Sequence, residues 1–219
     1  MAMTLGVAVQ HGADTLITNT KTVTLTTGRG CVAMIVWQSA TETISSVTVS
    51  GESNMTLVGT PSSTSNDWKT QIAYLGSVTT GASKTVTVNF SAAVASYVFI
   101  QELHDGSNGG IALDGFGNAF NNASTNPTVN VTTSAANSAI FAVLSDHTSD
   151  PTVGGSYTEL NETAWYGYEA SMYDLDAGAA GTYAANWTAA SGSWSIAAAG
   201  FKPSAGGGGG PALWAQSCL

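Results

Sequence analysis

The sequence predicts an all-β chain folded as a jelly-roll-like antiparallel β-sandwich made of two similar halves, and three observations lead there. Only 9% of the 219 residues are charged, while Thr, Ser, Ala, Val and Gly dominate. Branched residues suit a pleated surface, and the straight charged residues that build surface helices are scarce. Short segments such as 22–26, 85–88 and 128–132 alternate Thr or Asn with Val or Leu, the period-two pattern of a strand with one wet face. Finally, TVTLTTGRGCVAMIVWQSA (22–40) reads almost as a copy of TVNVTTSAANSAIFAVLSD (128–146). Each has Thr/Val alternation, a turn of small residues, and an apolar run closing on a serine.

Taken in order, the first half offers the strand 22–26, the unbroken apolar run VAMIVW, a strand at Met55-Thr56-Leu57, KTQIAYLG, KTVTVNFS and YVFIQEL. The second half answers with 128–132, AIFAVL, Tyr157-Thr158-Glu159-Leu160, YEASMYDL, GTYAANWT and WSIAAAGF. Val88-Asn89-Phe90 corresponds to Ala185-Asn186-Trp187, and Tyr97 to Trp194. The continuous runs predict strands covered on both faces. Turn clusters at Gly51-Glu52-Ser53-Asn54, at 61–67 and at Ser107-Asn108-Gly109-Gly110 separate the strands. This places one sandwich over 1–203, with halves at about 15–105 and 126–203. Two immunoglobulin-like sandwiches, divided in the glycine-rich segment 106–125, are the alternative; that segment lacks the length and charge of a linker.

A formal net charge of −9, with Lys21, Arg29, Lys69, Lys84 and Lys202 scattered along the chain, argues against a nucleic-acid partner, which needs clustered cations. The apolar runs stop well short of the roughly 20 residues of a membrane span. The N-terminal MAMTLGVAVQHGAD lacks the basic start and long apolar stretch of a secretory signal. A secreted protein in mature form would read the same; if the first Met is native, an extracellular-looking sandwich without a leader fits a virion protein, assembled in host cytoplasm and released by lysis.

Candidate chemistry is sparse, and neither an enzyme nor a cofactor is expected. His104-Asp105 and Asp146-His147 follow central strands and would converge on a metal if those strand ends were neighbours; polar residues ending strands are the plainer reading. Asp150, Asp174 and Asp176 lack any calcium-loop spacing. Glu102, Glu159, Glu162 and Glu169 have no fixed separation that would make a hydrolytic pair. Trp165, Tyr166, Tyr168 and Tyr173 are close enough to form a glycan-stacking platform on one sheet face, whereas Trp68, Trp187 and Trp194 read as core or edge fillers. The C-terminus departs most from the body. Gly206 to Gly210 form a flexible linker spanning 204–210, followed by PALWAQSCL, whose Leu213, Trp214, Cys218 and Leu219 make residues 211–219 a candidate docking arm for a neighbouring subunit. Cys31 and Cys218 form at most one intramolecular disulfide, and reduced thiols fit a cytoplasmic origin equally well.

The run through Trp37-Gln38-Ser39, Met55-Thr56-Leu57, YLGSVTTGASKTVTVNFS and YVFIQELHDG resembles tailed-phage virion surface sandwiches, particularly capsid decoration (cement) and fibre-associated proteins, over about 15–203. The resemblance implies a structural role on the outer capsid surface, often as a homotrimer, with chain termini anchored to the shell. Its partner would be the major capsid protein or another virion protein. Secreted adhesins share such patterns, so a secreted or virion-borne carbohydrate-binding module is the alternative.

Overall fold

The structure is a computed structural model that describes residues 2–6, 10–64, 67–146, 150–163 and 167–205. Trp165, Tyr166, His147 and the arm residues Leu213, Trp214, Cys218 and Leu219 lie outside them. The described chain contains no helix, and its strands pair antiparallel throughout. It is an all-β sandwich architecture.

In the first half, β3 (Gly30–Gln38) lies between β6 (Trp68–Leu75) and the end of β7 (Ala82–Asp105), and β5 (Thr56–Ser63) adds to β6. The start of β7 instead pairs with β4 (Ile44–Val49) and with the end of β2 (Gln10–Leu25). Both long strands therefore pass from one sheet face to another. Val86 and Val88 from the start of β7 and Val98 and Ile100 from its end line the same core, which requires the strand to fold over. The turn falls at the exposed Ser91-Ala92-Ala93, opposite the slip in β2 between Leu16 and Thr18. Asn19 fastens this corner, its buried Nδ2 donating to the Ser96 carbonyl at 3.2 Å and to Ser96 Oγ at 3.0 Å. The three-residue β1 (Met3–Leu5) continues the β2 side along the end of β7.

The second half repeats the pairing scheme. Here β10 (Ala139–Asp146) lies between β13 (Tyr168–Asp174) and β15 (Gly192–Pro203), with β12 (Thr158–Thr163) on β13. A separate small sheet joins β14 (Gly181–Thr188) to β9 (Thr128–Thr133) and β11 (Thr152–Val153). The bend that β7 makes as one strand is a break between β14 and β15 in this half. The glycine-rich segment is largely strand: β8 (Ile111–Ser124) pairs with β15 along nearly its whole length.

Side-chain alternation distributes three cores. Cys31, Ala33, Ile35 and Trp37 point into the first half's own core, while Val32, Met34 and Val36 point the other way. Those three meet Ala139, Phe141 and Val143 of β10 and Phe201 of β15 in a core shared by both halves; Ile140, Ala142 and Leu144 fill the third core under Trp187. This is why β3 and β10 are buried almost throughout whereas β9 alternates. Each buried Val, Leu, Ile, Met or Phe among them contributes about 1.5–3 kcal/mol. One end of the shared core is polar. Thr70 and Ser195 hydroxyls meet at 2.8 Å, Ser195 Oγ donates to the Ser62 carbonyl at 3.3 Å, and Ser62 Oγ donates to the Ile196 carbonyl at 3.1 Å.

Candidate interaction site

The strand registers decide the fate of the polar residues offered as a metal cradle. Leu103 pairs with Gly30; a Cβ on Gly30 would lie 2.3 Å from Ile111, and Ile111 pairs with Pro203 at the end of β15. Asp146 pairs with Trp194 near the start of that strand. Nine residues of strand, roughly 30 Å, separate the two ends, so His104-Asp105 and Asp146 do not converge. Asp105 Oδ1 instead closes a turn, accepting from Ser107 N at 2.8 Å and Gly109 N at 2.6 Å. Among the described residues no group of three or more His, Cys, Asp or Glu side chains could hold a metal ion.

The candidate carboxylates separate in the same way. Glu102, fully buried, accepts from Arg29 Nη1 at 2.8 Å and from Thr26 N at 2.5 Å. Glu169 is buried in β13 opposite Ser145. Glu162 and Glu159 stand together on β12. Burial first, then a hydrogen bond to Asp150 and the charges of Asp150 and Glu159, push Glu162 up to about 7. Cys31 is a free thiol at 0% exposure in the first core. Burial, and secondarily the Glu102 charge, push it up to about 12. It is a core thiol and not an activated nucleophile.

The aromatic platform is corrected in part. Tyr168 pairs with Asp146 and Tyr173 with Phe141 in one unbroken register, so five residues separate them and their rings leave opposite faces. Tyr173 stacks on Phe141 with centroids 6.1 Å apart, inside the shared core, while Tyr168 is half-buried. Trp68, Trp187 and Trp194 are buried.

Exposed aromatics do stand elsewhere, on β8. Phe116 and Phe120 are 50% and 55% exposed, with Asn118 between them on the same face. The opposite face carries Gly115 and Gly117, pressed on β9 so closely that Cβ atoms there would lie 1.9 Å from the Thr132 carbonyl oxygen and 2.2 Å from that of Asn130. That contact fixes which way the phenylalanines point. They border β5, where residues between Val58 and Ser62 slip out of register with β6. Gly59, at φ +61°, begins this bulge, and a Cβ there would meet the Phe116 ring at 2.7 Å. Gln71 Nε2 donates to the Gly59 carbonyl at 2.9 Å and Asn118 Nδ2 donates to the Thr60 carbonyl. The result is a cleft of about 570 Å³ lined by Pro61, Ser62, Ser63, Asn118, Ala119 and Phe120, without a charged side chain.

No family model, curated protein or solved structure matches this chain.

A second exposed apolar pair, Leu16 and Ile17 at 55% and 53%, marks the corner where β2 bends with β7. Sequence reasoning missed the β8 rings, although F-G-N-A-F carries the signal: aromatic and amide residues at every second position, small residues between. What this surface offers chemically is apolar contact and backbone pairing.

Proposed function

We propose that this chain is a non-enzymatic structural protein of a viral particle, of the capsid decoration kind, contacting the shell and neighbouring copies on the outer capsid surface. The observation that carries the reading is the pair of apolar surfaces that rigid strands hold open to solvent, Phe116 with Phe120 and Leu16 with Ile17. Side chains of this size, kept exposed while the other large apolar residues described are buried or half-buried, are what a protein partner covers. The net charge of −9 suits a surface that faces away from packaged nucleic acid, and the candidate arm 211–219 supplies a further contact. A homotrimer is the assembly proposed from the resemblance. The test is to mix the purified chain with empty shells assembled from major capsid proteins of tailed phages. Saturable binding at a fixed ratio to shell subunits, lost on truncation after Ala205 or on Ile17→Ser, is expected; no binding by the intact chain overturns the reading.

A carbohydrate-binding module is the second reading, favoured by one observation: Phe116, Asn118 and Phe120 share a face of β8 beside the uncharged Ser62 and Ser63. Rings four strand residues apart, roughly 13 Å, could stack on separate sugar units. Saturable glycan affinity that falls at least tenfold in Phe120→Ala would favour this module over the decoration protein, and silence across a broad glycan panel would remove it.

A further inference from the structure

Two open strand edges border the β5–β8 cleft. Among the described residues β5 pairs only with β6 and β8 only with β15, so each presents backbone donors and acceptors along its other edge. Such an edge is a template for an added strand. Phe116 and Phe120 stand over it half exposed, and the lining carries no charge.

The course of the chain supplies the occupant. β15 ends at Pro203, opposite Ile111 at the start of β8, and Ser204 N donates to the Gly110 carbonyl at 3.0 Å. The last described residue, Ala205, therefore stands where β8 begins. From Ile111 the rings of Phe116 and Phe120 lie five and nine strand residues on, roughly 17 and 30 Å. An extended chain from Ala205 covers up to about 30 Å by Trp214, so Leu213 and Trp214 reach the level of those rings. PALWAQSCL has no charged side chain, so placing its side chains against an uncharged cleft strands no ionic side chain.

We propose that in the free protein residues 211–219 of the same chain occupy the β5–β8 cleft, adding to the open edge of β8 with Leu213 and Trp214 against Phe116 and Phe120. The proposal rests on reading 211–219 as a docking element and gives that element its seat before any partner is met. A short flexible tether holds such a segment at an effective concentration of the order of millimolar, so at micromolar protein the chain's own segment outcompetes that of a second copy.

The test is amide hydrogen exchange on the isolated full chain at micromolar concentration. Truncation after Ala205 is expected to speed exchange at least tenfold for the amides of residues 113–121 that face away from β15. Millimolar PALWAQSCL peptide is expected to restore protection to the truncated chain. Phe116→Ser with Phe120→Ser in the full chain is expected to expose the same amides, which separates the effect from any misfolding of the truncated form. Unchanged exchange on truncation overturns the proposal. So does protection insensitive to the phenylalanine substitutions, or protection that appears only as light scattering reports self-association, which would assign the cleft to a second copy. Shell binding is read separately: loss of shell binding on truncation without any change in exchange overturns the seat and leaves the particle reading standing, whereas changed exchange in a chain that binds no shell does the reverse.

Discussion

Thr70 of β6 and Ser195 of β15 share a hydrogen bond of 2.8 Å across the face on which the two halves meet. Both residues are fully buried. A hydroxyl has one proton to give; since Ser195 donates to the Ser62 carbonyl, Thr70 is the donor to Ser195. Ser195→Ala therefore leaves the Thr70 hydroxyl and the Ser62 carbonyl without this partner in a buried seam, at a cost of about 1–3 kcal/mol. The double variant Thr70→Val/Ser195→Ala is expected to lose less than the sum of the singles. Urea unfolding of the four proteins in the cycle measures it, and strict additivity would mean the bond contributes no coupling.

Gly115 and Gly117 allow β9 to approach β8. Alanine at either position places a methyl group within 2.2 Å of a backbone carbonyl oxygen, and strands cannot shift as a flexible side chain can. Each substitution is expected to cost about 2–3 kcal/mol or to block folding. Gly181→Ala is the control, because nothing comes closer than 3.8 Å to a Cβ there. Thermal melts should show large losses at 115 and 117 and little change at 181.

Glu102 has its carboxylate at 0% exposure, held by Arg29, itself 19% exposed. Removing the guanidinium in Arg29→Ala leaves a buried charge short of its counter-ion and is expected to cost about 3 kcal/mol or more. Glu102→Gln keeps the shape and an acceptor for Thr26 N, so adding it to Arg29→Ala should recover part of the loss. Chemical denaturation of the two variants checks the order; equal stability of Arg29→Ala and wild type would contradict it.

Two carboxyl groups tie stability to pH in opposite directions. Burial alone would raise Glu52, yet hydrogen bonds from Lys84, from the Thr79 hydroxyl and amide, and from the Thr80 amide outweigh it and hold the group at about 2. Its folded value lies below the unfolded one, so its contribution is present above about 4.5 and lost as pH falls toward 2. Glu162, raised to about 7, contributes below about 4.5 and loses that contribution as pH rises through 7. Urea midpoints across pH 2–8 should flatten at the acid end in Glu52→Gln and between pH 5 and 7 in Glu162→Gln. Added salt should change the Glu52 effect little, since the Lys84–Glu52 side chains are 7% and 0% exposed.

The central strands were the most readable part of the sequence, and the reason is physical. Residues 32–37 and 139–144 are covered on both faces, so selection for burial acts at every position and leaves an unbroken apolar run. β8 was unreadable as a strand because Gly115 and Gly117, required by the neighbouring carbonyls, look like turn residues in isolation. The first part of β2 and the short β4 carry mixed polarity and gave no clear period. At the site, parity alone takes Tyr173 off the face that carries Tyr168, while Trp165 and Tyr166 lie outside the described residues. Phe116 and Phe120 pass the same test at an even spacing, but only the bulge at Gly59 and the course of β5 show what stands beside them.

The position of β15 has a mechanical consequence. Its neighbours on both sides are hydrogen-bonded to it, β10 on one edge and β8 on the other, whereas β1 at the opposite end of the chain holds on by three residues along one edge. A pull entering at Ser204 runs along β15 and must slide two ladders at once in shear, while a pull on Met3 peels a short ladder bond by bond. Resistance to force is expected to be greater at Ser204 than at Met3.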